Sequence, residues 1–106
     1  MYIKKGVSLA GLTVQMVLAN SIVERVYDQF NREGTITSGE DGEHSTLSLH
    51  YSGNALDYRI KNPVNGTPYF EDPQEVVRRI KDRLGGDFDV LLETDHIHVE
   101  YQPRRK

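Results

Sequence analysis

Leu9, Leu12, Met16, Ala19, Val23, Val26 and Phe30 recur at alternating three- and four-residue intervals, with Glu24, Arg25, Asp28 and Gln29 between them. That spacing lines one face of a helix with apolar side chains. It predicts a helix of about six turns that ends near Arg32 and Glu33, with Gly34 as its C-cap. Thr35-Ile36-Thr37 then reads as a short strand that leads into a polar segment rich in glycine and acids. From Ala55 to Ile60 the period changes to two, with Leu56, Tyr58 and Ile60 on one face and Ala55, Asp57 and Arg59 on the other. A turn-rich stretch over 62–68 separates this strand from a second helix, for which Asp72 is the cap, Pro73 the first position and Glu75 the capping-box acid. Val76, Val77, Ile80 and Leu84 form its buried stripe, and Gly85-Gly86 stop it. Two strands follow, Phe88 to Leu92 and His96 to Tyr101, joined by a tight turn through Glu93, Thr94 and Asp95. Short strands are also expected around 2–5 and 68–71.

The expected architecture is α+β: a small antiparallel sheet with two main helices on one face and a functional site on the other. With 106 residues the chain makes one domain around one modest core. No repeat or low-complexity tract divides it.

Composition narrows the chemistry. The chain has no cysteine, so disulfides and thiolate metal sites are excluded, and its four histidines become the natural ligands. A net charge of −3, with acids and bases interspersed, offers no basic stripe for nucleic acid. No apolar run approaches membrane-spanning length, and Ser8, Thr13, Gln15 and Asn20 interrupt any signal-like core after Lys4 and Lys5. The expectation is therefore a monomer made in the cytoplasm, without a secretion signal, with neither nucleic acid nor membrane as a partner.

Two segments carry metal-ligand chemistry. Ser48 to Asp57 holds an imidazole and a carboxylate, His50 and Asp57; Glu93 to Glu100 holds His96 and His98 on one strand face with acids beside them. Two histidines and a carboxylate can fill three tetrahedral positions on zinc and leave the fourth to water, so His50, Asp57 and His98 form a candidate ligand set. Each residue type also has ordinary structural uses, as loop imidazoles and strand-start acids do. Glu40, Asp41 and Glu43 lack an ordered series of oxygen donors and read as a solvated loop rather than a calcium site.

These segments resemble the zinc signature of the D-alanyl-D-alanine carboxypeptidase and hedgehog-domain superfamily, which includes vancomycin-resistance dipeptidases and phage endolysin peptidases. The residues that carry the resemblance are His50, six intervening residues and Asp57, followed by His96-Ile97-His98. The wording Asp41-Gly42-Glu43-His44-Ser45, then Ser48-Leu49-His50-Tyr51, Gly53 and Ala55, is similar to the hedgehog form. The match runs from about 36 to 101.

The resemblance implies that zinc is held by His50, Asp57 and His98. It places Asp95 where the peptidases keep their catalytic acid; Glu93 lies near the place hedgehog domains use, out of register. His96 would serve an oxyanion or orient a ligand, and His44 matches a histidine kept just before the zinc segment. Arg59 shares the Asp57 face and could take a substrate carboxylate or a surface ion pair, and Ser48 and Tyr51 could line the pocket. Gly53 is expected to permit a backbone turn between two ligands.

The implied function is hydrolysis of a peptidoglycan stem peptide by metal-activated water, as a carboxypeptidase or an endopeptidase. Release to the wall would come through phage lysis or a virion. The alternative is a zinc-stabilised interaction module without turnover, as hedgehog domains are thought to be.

Overall fold

The computed structural model describes residues 1–39 and 53–103. The chain runs β1 (Tyr2–Ile3), α1 (Val14–Gln29), β2 (Thr35–Ser38), β3 (Ala55–Arg59), α2 (Pro73–Leu84), β4 (Phe88–Leu92) and β5 (His96–Tyr101). The strands form one sheet in the order β1-β2-β3-β5-β4. Among the described residues no helix is long and apolar enough to cross a membrane.

The sheet is mixed rather than antiparallel. β1 pairs parallel with β2, while β2–β3, β3–β5 and β4–β5 are antiparallel. The parallel pair arises because α1 intervenes between β1 and β2, and a helical crossover returns the chain to run in the same direction. Near 68–71 the structure has an isolated bridge between Lys61 and Pro68 in place of a strand.

Helix α1 begins at Val14, later than the apolar periodicity suggests. Gly11 sits at φ 77°, outside helical space, and the Thr13 side chain accepts the Met16 amide. Leu9 and Leu12 keep the apolar spacing because they pack against the core from the preceding turn. The helix closes just past its Phe30 cap at Asn31, with φ 58°, where the Asn31 amide donates to Asp28 O and the Arg32 amide donates to Tyr27 O. That pair of bonds is a Schellman ending with asparagine in the left-handed position. Gly34 is therefore not the cap. A Cβ at Gly34 would lie 2.6 Å from the Met1 side chain and 2.9 Å from the Tyr27 ring, so close packing demands glycine there.

Helix α2 matches its sequence signals. Asp72 caps the Glu75 amide, Pro73 opens the helix, and Gly85 ends it at φ 84°. The Glu75 carboxylate does not reach back to the cap; it binds Arg78 and Arg79, which hold its carboxyl down to about 2.

Met16, Val23 and Val26 of α1, Val76 and Ile80 of α2, and Leu56, Tyr58, Ile97 and Val99 of the sheet form one buried cluster. Both helices thus cover the sheet face to which Leu56, Tyr58, Ile97 and Val99 point. Two buried hydroxyls tie α1 to β3: Tyr27 donates to Arg59 O at 2.8 Å, and Tyr58 donates to Asn20 Oδ1 at 3.0 Å. Each satisfies a polar group that would be costly to bury alone.

Burial raises the phenol pKa of Tyr27 and Tyr58 above the ordinary 10. Both stay neutral in the fold and ionise on unfolding, so the unfolded state binds fewer protons at high pH. Stability should fall as pH rises above 10, by about 1.4 kcal/mol per pH unit for each tyrosine. Denaturant melts between pH 8 and 11 check this, and Tyr27→Phe should flatten the slope. Gly53 lies at φ 74°, and a Cβ there would meet the Gly11 carbonyl oxygen at 2.2 Å. Gly53→Ala should accordingly cost more than about 2 kcal/mol in the same melts.

Candidate functional site

Opposite the helix-covered face, β3 and β5 present Asp57, His96, His98 and Glu100. Their pairing sets Asp57 against His98 and Arg59 against His96. Directly opposed residues of an antiparallel pair have Cβ atoms about 5 Å apart, so side chains from positions 41 apart in sequence can touch. Beside this pair β2 is irregular: Ile36 faces Tyr58 and Ser38 faces Asp57, which leaves Thr37 in a bulge next to the site.

His98 lies between two carboxylates. Its Nδ1 is 2.7 Å from Asp57 Oδ1 and its Nε2 is 3.1 Å from Glu100 Oε1. The bond to Asp57 raises the imidazole pKa above the ordinary 6.5, against the opposing effect of burial. The side chains of Asp57, His98 and Glu100 are only 15–17% exposed, so this is a sheltered cluster although it faces away from the core.

His96 continues the row. Its Nε2 is 3.8 Å from Asp57 Oδ2, and its Nδ1 is 2.7 Å from Asp95 Oδ1. That bond holds the Asp95 carboxyl below the usual aspartate range, so the acid is ionised at neutral pH. In neutral His96 the proton then belongs on Nδ1, where Asp95 accepts it, and Nε2 carries the lone pair on the Asp57 side. Asp95 itself, at the β4–β5 turn, is 70% exposed. Glu93 is exposed at the same turn.

The expected site residues thus divide. Asp57, His98, His96, Asp95 and Arg59 occupy one end of one sheet face. His44, Ser48, His50 and Tyr51 lie outside the described residues, as do Glu40, Asp41 and Glu43. The structure adds Glu100, to which the sequence assigned no role. Its signal was the alternation of β5, which places it on the face of His98 two residues on.

Nitrogen and oxygen donors meet at Asp57 and His98, and two carboxylates bracketing one imidazole concentrate negative charge where a cation would neutralise it. This donor chemistry suits zinc. Among the described residues no group of three or more His, Asp or Glu side chains could by itself hold a metal ion. The remaining expected ligand, His50, is outside them.

Comparison with protein-family models, with curated proteins and with solved structures finds no match for this chain.

In protein freed of divalent ions, the His98 imidazole should titrate above 6.5. A folded-state pKa above the unfolded value gives stability that is fully present below 6.5 and lost as pH rises through the raised pKa. Asp57→Asn should move the His98 titration, followed by imidazole NMR shifts, back down; an unmoved curve would place the cause elsewhere.

Proposed function

We propose that the chain is a zinc-dependent peptidase that hydrolyses a short peptide, the stem peptide of peptidoglycan being the substrate its motifs suggest. The observation that carries this reading is the seating of Asp57 against His98 across β3 and β5, with a 2.7 Å contact, next to a second histidine with its own acid. The sequence resemblance implies ligation by Asp57 and His98, proton transfer by Asp95, and an oxyanion or ligand-orienting role for His96.

Asp57 and His98, together with His50, would hold the metal through one oxygen and two nitrogens, leaving one position open. When bound, zinc would supply a Lewis acid that lowers the pKa of water and polarises the scissile carbonyl. Asp95 and His96 act as a dyad: Asp95 Oδ1 holds the Nδ1 proton of His96, and the proton to be moved goes either to the lone pair on His96 Nε2 or to the Asp95 carboxylate. The same groups return it to the leaving amine. Glu100 bonds the other side of His98 and fixes the ring orientation. Arg59, two residues from Asp57 on the same face, is placed to take an anionic group of the substrate.

A second reading, a zinc-stabilised interaction module without turnover, draws on the 70% exposure of Asp95, which is high for a proton-transfer group. Mass spectrometry of defined muropeptides separates the two. Zinc-loaded protein should release products whose mass difference names the bond, and chelation should abolish them. Asp95→Ala should retain zinc while losing about 10²-fold or more in turnover, the usual worth of a positioned proton acceptor. Intact muropeptides with zinc confirmed bound would favour the module, and a fully active Asp95→Ala would remove Asp95 from the mechanism.

A further inference from the structure

Beyond Arg59 the sheet face opens into a cavity of about 310 Å³. Lys4, Arg59 and Lys61 reach its walls, together with Thr37, Asp95 and the turn at 62–66. They come from separate parts of the fold. Lys4 follows β1, where its amide donates to Ile36 O; Arg59 ends β3; Lys61 begins the turn that Asn62 closes through bonds from the amides of Val64, Asn65 and Gly66. Three hydrogen bonds thus close the turn.

The charge balance of the cavity is unusual for this chain, whose net charge is −3. Among the described residues three cations face a single carboxylate, Asp95, which is bonded to His96 and also attracts Lys61. Among the described residues none of the three cations has an acid within ion-pair distance. Like charges held around one hollow repel one another unless an anion joins them, and the excess is two positive charges. Arg59 presents a planar fork suited to a carboxylate, and the two ammonium groups act as point charges beside it.

Position ties the cavity to the site. Arg59 and Asp57 are two residues apart on one strand face, about 7 Å by the rise of a strand. A molecule anchored beside Arg59 therefore has its next bond near Asp57 and His98.

We infer that this cavity is a subsite for a dianion, specifically the two free carboxylates of an acidic residue at the C-terminal end of a peptide. The inference rests on the peptidase reading for the word peptide, and on the cavity alone for the dianion. The subsite would make the protein prefer substrates whose leaving residue is acidic.

The test is binding rather than turnover. Glutarate, acetate and inorganic phosphate are titrated into the full chain, and amide shifts of residues 59–66 are followed by NMR. Glutarate should bind at least tenfold tighter than acetate. Arg59→Gln and Lys61→Gln should each weaken glutarate at least fivefold, with Lys81→Gln on α2 as the neutral control. Equal binding of glutarate and acetate, or binding indifferent to Arg59→Gln and Lys61→Gln, would overturn the subsite. Phosphate binding tighter than glutarate, with the same dependence on Arg59 and Lys61, would overturn the acidic-peptide assignment in favour of a phosphate ester. Failure of the peptidase reading shows separately, as uncut muropeptides with glutarate still bound.

Discussion

The register between β3 and β5 is the constraint on which everything else hangs. Because strand side chains alternate, the pairing of Leu56 with Val99 and of Tyr58 with Ile97 fixes, on the opposite face, the meeting of Asp57 with His98 and of Arg59 with His96. A slip of β5 by one residue would turn Ile97 and Val99, both fully buried, out to water and drive His96, His98 and Glu100 under the helices. Burying each apolar side chain stabilises by about 1.5–3 kcal/mol, and unpaired buried charge costs far more. The polar cluster is thus held in place by atoms on the other side of the sheet that never touch it.

Along that face the electrostatics change sign over a short distance. Near β5's end, Asp57 and Glu100 bracket His98 and favour a positive guest. Towards the turn at 62–66, Lys4, Arg59 and Lys61 favour a negative one. Asp95 and His96 stand at the junction, with His96 Nδ1 2.7 Å from Asp95 Oδ1. A polar molecule lying across the face would be oriented end to end by this gradient before any specific bond formed.

The sequence was most informative where local chemistry decides local structure. Asp72, Pro73 and the Gly85 stop delimit α2 without help from the rest of the fold, and the strict alternation of β5 identifies its two faces. Helix α1 was less legible at its start, because Leu9 and Leu12 join the core from a turn and so mimic helical spacing; the Gly11 backbone and the Thr13 cap decide the boundary. At its end, Asn31 does what glycine usually does, while Gly34 is required by the Tyr27 ring. The parallel pairing of β1, the bulge at Thr37 and the convergence of Lys4 with Lys61 depend on contacts between remote segments, and no period in the chain encodes them. Asp57, His96 and His98 were legible as ligand types, whereas the role of Glu100 needed its contact with His98.

The contacts that define the site and its supports join residues far apart in the chain: 41 positions for His98 and Asp57, 40 for Thr13 and Gly53, 38 for Tyr58 and Asn20, 32 for Tyr27 and Arg59. Closing such long loops is slow, because chain entropy is lost before the contacts form. Asp57 and His98 meet only when β3 and β5 pair across the intervening α2 and β4, so the site forms with the tertiary fold and not from any local segment. Any ligand that requires both residues therefore reads out whether β3 and β5 have paired.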